Sequence, residues 1–184
     1  CPSSTVASKG RGSGFLGEKE ALKAFLADIF DKTNMKISLK TRIGLNRADE
    51  FDDILDIYQA FPVEMLIVHP RIRMDYYSGK PDMEAFEKAS ARMPFPVCYN
   101  GDIFTAAAYG RVSEKYSDIR HWMIGRGLLS NPALCREIRG GDCASWEELA
   151  DYYHTMRDEY EVRLQGNKKV VFLMKEFWHY ISWI

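Results

Sequence analysis

Short apolar runs alternate with stretches of helical period over most of this chain, and that alternation limits the possible folds more than any other feature. Lys36 to Ile43 places Ile37, Leu39, Thr41 and Ile43 on one face of a strand, with Lys40 and Arg42 sharing the other at period two. Glu64 to His69 holds the run Met65-Leu66-Ile67-Val68, the pattern of a buried parallel strand that ends in a polar residue. Pro96 to Tyr99 and Trp122 to Ile124 complete a set of four strands. Asp49 to Ala60, Met83 to Arg92 and Phe104 to Lys115 read as the intervening helices, the first through Phe51, Ile54, Leu55 and Tyr58. A further helix, Glu18 to Phe30, precedes the first strand. The order predicts an α/β fold, a parallel sheet covered by helices.

The pattern changes after Gly140-Gly141. Trp146 to Gln165 and Val170 to Ile184 read as two helices with no strand between them. The sequence therefore divides into an α/β part, residues 1–141, and an α-helical C-terminal segment, residues 142–184. Four strands form either an open sheet or the second half, strands 5–8, of a (β/α)8 TIM barrel. The ends of the sequence favour the half-barrel. It opens on Cys1 in a glycine-rich stretch of loop composition, and it stops at Trp183-Ile184 without a polar cap. Residues are expected before Cys1, and the helical segment is expected to continue. Trp122, Trp146, Trp178 and Trp183 are read as core.

Composition narrows the function classes. The formal net charge of −1 provides no global basic field. The apolar runs are too short to cross a bilayer, and no signal-peptide pattern opens the chain. Cysteines at 1, 98, 135 and 143 match neither a zinc-site spacing nor a disulfide framework, so no metal and a cytoplasmic setting are expected.

Two strand ends carry turns suited to an anion. Pro96 to Phe104 reads Pro-Val-Cys-Tyr-Asn-Gly-Asp-Ile-Phe, and Trp122 to Leu128 reads Trp-Met-Ile-Gly-Arg-Gly-Leu. Glycine allows close backbone approach, a helix start offers free N–H groups, and Arg126 can add charge-assisted bonds. A phosphorylated cofactor held by Asn100, Gly101, Gly125 and Arg126 follows. Asp102 would repel phosphate, and it suits helix capping or loop bracing instead.

Five motifs then fall in order: Cys1-Pro2, Lys40-Thr41-Arg42-Ile43-Gly44, Val68-His69-Pro70-Arg71 with Tyr77-Ser78-Gly79, Asn100-Gly101-Asp102, and Gly125-Arg126-Gly127. In this order and spacing the chain resembles the tRNA-dihydrouridine synthases. Lys175 to Tyr180 resembles, more loosely, that family's C-terminal helical domain. The resemblance implies a TIM barrel holding FMN, with NADPH as electron donor, that reduces tRNA uridines to 5,6-dihydrouridine. It implies hydride delivery to uracil C6 and a proton from Cys1 to C5. Lys40 and His69 would join the cofactor site with Asn100, Gly101, Asp102, Gly125 and Arg126. Arg42, Arg71, Arg73 and Tyr77 would approach RNA. The family's Asn-x-Gly-Cys-Pro motif is present only as Cys1-Pro2, so the fragment alone is expected to be inactive. Two other readings fit the residues: a flavin- or phosphate-binding barrel acting on a small molecule, and a non-catalytic RNA-binding remnant of the fold.

Overall fold

A computed structural model describes residues 3–164 and 166–181. Cys1, the expected acid, lies outside these residues, as do Gln165 and the expected end of the last helix. The chain divides into two compact units, Cys1–Gly101 with Asp118–Met123, and Asp102–Ser117 with Ile124–Ile184.

The first unit is built on a four-stranded parallel sheet, β1 (Ser38–Gly44), β2 (Met65–Ile72), β3 (Val97–Tyr99) and β4 (His121–Trp122), in sequence order. Pairing in register sends residues of one row to the same side of the sheet. Lys40 pairs with Ile67, Ile67 with Cys98, and Cys98 with His121. The next row runs Thr41, Val68, Tyr99, Trp122, and Arg42 pairs with His69 beyond it. One face is therefore apolar, and the other carries Lys40, Arg42 and His69.

Helices α3 (Phe51–Gln59) and α4 (Met83–Arg92) cover the apolar face; α2 (Lys19–Lys32) packs on α3, and α1 (Ser4–Ala7) packs on the 3-10 turn that follows it. The buried stripe of α3 is Phe51, Ile54, Leu55 and Tyr58, the positions its periodicity requires. Tyr58 donates its hydroxyl to Thr41 Oγ1 at 3.0 Å, and burial pushes its pKa up to about 12, so it remains a donor. Helix α4 buries Phe86, whose ring meets Tyr99 edge-on at 5.2 Å; Tyr99 in turn meets Trp122 at 5.4 Å.

The sequence expectations are revised at four places. The opening stretch is not plain loop. It forms α1 and a 3-10 turn, Gly12–Gly17, packed so closely that a Cβ on Gly14 would lie 2.2 Å from the Ala7 carbonyl oxygen. Strand β2 runs past His69 to Ile72, because Pro70 and Arg71 are buried and Gly44 pairs with Ile72 across a register irregularity. Strand β4 stops at Trp122, without the expected Met123 and Ile124. Two tryptophans are not core: Trp146 is 77% and Trp178 51% exposed.

The second unit is helical: α5 (Ala106–Lys115), α6 (Arg126–Ser130), α7 (Leu134–Ile138), α8 (Trp146–Arg163) and α9 (Asn167–Ile181). Thr105 and Ser145 cap α5 and α8 through their hydroxyls. Val170, Met174, Phe177 and Ile181 form the buried stripe of α9, packed against Tyr152, Tyr153, Met156 and Tyr160 of α8. Among the described residues no helix is long and apolar enough to cross a membrane.

Phe86→Ala should cost about 3–5 kcal/mol, the range for emptying an aromatic site in a packed core. Urea denaturation measures it; a loss below about 1 kcal/mol would show that the α4–sheet contact is loose.

Candidate functional site

The polar face of the sheet gathers its cationic groups by strand register alone. Lys40 remains solvent-accessible, yet its surroundings are crowded. Burial lowers its pKa first, the Arg42 charge lowers it further, and Cys98 pulls the other way. Cys98 itself is a free, buried thiol whose pKa burial raises and Lys40 lowers. A positive field on a partly desolvated face favours an anion, which would relieve the ammonium of Lys40.

His69 is buried at the end of this face, and its Nε2 lies 3.2 Å from Arg71 Nη1. Guanidinium only donates, so Nε2 accepts and the ring proton belongs on Nδ1. Arg71 is 1% exposed and also donates through Nη2 to the Gly79 carbonyl. Arg42 is buried as well; it donates from Nη1 to the Ile72 carbonyl at 2.7 Å and from Nη2 to the Tyr76 carbonyl. Both arginines, expected at the RNA, thus lie beneath the loop that follows β2. That loop carries the more accessible candidates. Tyr77 is 52% exposed, with the Arg42 guanidinium 5.6 Å from its ring centre and His69 at 6.5 Å. Arg73 is half-buried at the loop's start.

At the end of β3, Asn100 donates its side-chain amide to the Met123 carbonyl at 2.8 Å and its backbone N–H to the Val68 carbonyl at 2.9 Å. Its side chain therefore ties strand ends together. Gly101 is buried, and a Cβ there would lie 2.4 Å from the Tyr99 hydroxyl oxygen. Within this unit, glycine is needed there to clear an aromatic ring held between Phe86 and Trp122.

The second unit contains Asp102, Gly125 and Arg126. Asp102 Oδ1 accepts from Arg126 Nη2 at 2.8 Å, and the guanidinium lies 5.2 Å from the Phe104 ring centre. Thr105, not Asp102, caps α5. Loop bracing is the role that the geometry gives Asp102. Gly127 fits because a Cβ would lie 2.1 Å from the Ile103 carbonyl oxygen. The segment after β3 and the segment after β4 are thereby locked at two points. Gly125 has open space around its Cβ position, so the backbone there is accessible to a ligand.

Sequence reasoning missed Cys98, Tyr76 and Phe104. The period of Val97-Cys98-Tyr99 places Cys98 on the Lys40 face, so that signal was present. Tyr76 has φ 49°, ψ −96°, a conformation side chains disfavour, and nothing in Asp75-Tyr76-Tyr77 announces it.

Comparison with known proteins decides the family. The dihydrouridine synthase (Dus) family model matches residues 1–180. The chain belongs to this family. This Dus-family chain is 27% identical over 139 residues to tRNA-dihydrouridine synthase B of Pseudomonas putida, covering 75% of this chain and 41% of that protein. It is 28% identical over 137 residues to tRNA-dihydrouridine synthase B of Pasteurella multocida, covering 74% and 41%. For tRNA-dihydrouridine synthase B of Escherichia coli the identity is 26% over 140 residues, covering 76% and 43%. The chain spans about two-fifths of the length of these curated relatives.

The two glycines of the Gly125-Arg126-Gly127 turn should respond differently to a methyl group. Gly127→Ala must displace backbone and should cost about 1–3 kcal/mol. Gly125→Ala should stay within about 0.5 kcal/mol. Equal losses in thermal or urea melts would contradict the packing described.

Proposed function

We propose that this chain supplies strands five to eight of a (β/α)8 barrel in an FMN- and NADPH-dependent tRNA-dihydrouridine synthase. The observation that carries the reading is the sorting of the sheet in a Dus-family chain: one face closed by helices, the other bearing Lys40, Arg42, His69 and Arg71. The parallel order of the four strands supports the barrel reading, since a barrel half is such a sheet.

The residues fit a flavin mononucleotide. Lys40 would balance negative charge on the ring system, with His69 alongside on the same face. Arg126 would meet the phosphate with the backbone of Asn100, Gly101 and Gly125. Asp102 would aim Arg126 and temper its charge, so that the phosphate binds without being held too tightly. When bound, the flavin supplies the hydride for the uracil C5–C6 bond.

The chain's own groups then handle binding and the proton. Tyr77 and Arg73 lie on the accessible loop, where an unstacked base and its backbone can reach them. Arg42 and Arg71 add positive potential beneath it. Cys1 would donate its thiol proton to uracil C5; a thiol of ordinary pKa, near 8.5, is largely protonated at neutral pH.

In the full-length protein, Arg126→Ala should weaken FMN binding by about 1.5–3 kcal/mol, the scale of a hydrogen bond to a charged group. A titration showing unchanged affinity would place the phosphate elsewhere. Cys1→Ala should bind FMN and accept electrons from NADPH as wild type does. Its oxidation by unmodified tRNA should slow roughly 10²–10⁴-fold, as for a removed general acid. Single-turnover oxidation at the wild-type rate would remove Cys1 from the mechanism.

A further inference from the structure

The loop between β2 and α4 reverses through two left-handed residues, and each is gripped from below by an arginine of the sheet. Tyr76 has φ 49° and Gly79 has φ 68°. The Tyr76 carbonyl accepts from Arg42 on β1, and the Gly79 carbonyl accepts from Arg71 on β2. Both guanidinium groups belong to buried residues, at 5% and 1% exposure. Arg42 also takes the Ile72 carbonyl at 2.7 Å, so a single planar fork spans the start and the turn of the loop. Further bonds complete the loop: Asp75 accepts from the Ile72 N–H at 3.0 Å, Ser78 N–H donates to the Asp75 carbonyl at 2.7 Å, Asp82 N–H to the Pro70 carbonyl at 2.7 Å and Met74 N–H to the Leu45 carbonyl at 3.3 Å.

A positive φ strains the backbone of a tyrosine and persists only when surrounding contacts enforce it. Arg42 supplies that enforcement, and the residue it fixes immediately precedes Tyr77. The consequence is a Tyr77 ring placed over the Arg42 guanidinium and toward His69. We infer that Arg42 and Arg71 are positioning residues that clamp the 72–82 loop at its two left-handed points and so hold Tyr77 in place for the tRNA substrate. The substrate part rests on the function proposed above; the clamp itself rests on geometry alone.

Lysine and methionine variants separate a clamp from a direct phosphate contact. Lysine keeps the charge but lacks the planar fork that presents separate nitrogens to the two carbonyl groups. In the flavin-loaded protein, Arg42→Lys and Arg42→Met should therefore behave alike. Chymotryptic cleavage after Tyr76 and Tyr77 should accelerate about tenfold or more, as loss of charged hydrogen bonds opens the loop. The kcat/KM for tRNA should fall roughly 10–100-fold, as expected for a misplaced contact, while FMN stays bound and its reduction by NADPH is unchanged. Tyr76→Gly added to Arg42→Lys should restore part of the protease resistance, because glycine adopts the left-handed geometry without strain.

Wild-type cleavage rates in Arg42→Lys would overturn the clamp. So would near-normal tRNA kinetics in Arg42→Lys beside a large loss in Arg42→Met, which would make Arg42 a phosphate contact. Loss of FMN with the loop still resistant would place Arg42 on the cofactor instead. If the wild-type protein binds no flavin but its loop opens in Arg42→Lys, the functional reading fails and the clamp stands. Should the variants not fold, guanidinium N–H exchange in the wild-type protein decides. Slowed exchange at Arg42 and Arg71 supports the clamp, and exchange at free-arginine rates ends it.

Discussion

The grouping of cations in the first unit depends on one constraint, the in-register parallel pairing of β1, β2 and β3. Because side chains alternate along a strand, register decides which residues share a face. A one-residue slip of β1 would send Lys40 and Arg42 among Val68, Tyr99 and the α3 core, where a charge without a partner is costly. The apolar rows on the helix side thus fix the cationic rows on the other. Packing of Phe51, Ile54, Leu55 and Phe86 stabilises the cationic face, although none of these residues belongs to it.

The strand ends are then finished by contacts that leave little freedom. Asn100 ties the end of β3 to Met123, and Gly101 yields its side-chain space to Tyr99. In the second unit, Asp102 and Arg126 form one bond and Gly127 presses on Ile103. The Asp102 carboxylate, unfavourable to phosphate on charge alone, is understandable as the group that directs Arg126.

Much of this was legible in the sequence because it depends on period. Met83–Arg92 has the expected bounds, and the α3 stripe uses the four residues that periodicity selects. The faces of β1 were readable for the same reason. What was not legible depends on tertiary contact. Pro70 and Arg71 look like the end of a strand, yet burial and Arg71's bond to Gly79 carry β2 onward to Ile72. Arg42 and Arg71 read as cations that approach RNA because sequence does not show a loop folding over them. Trp146 and Trp178 read as core because large apolar residues usually are, but α9 buries its Val170 stripe instead.

Whether the cationic strand face serves flavin-dependent reduction of tRNA is tested by mass analysis of nucleosides from unmodified tRNA incubated with the full-length protein, FMN and NADPH, beside a Lys40→Met variant. A uridine should gain two hydrogen atoms, only when FMN is present, and Lys40→Met should lose most of this gain. Unaltered tRNA from a protein that binds FMN and passes electrons to a small-molecule acceptor would contradict that role.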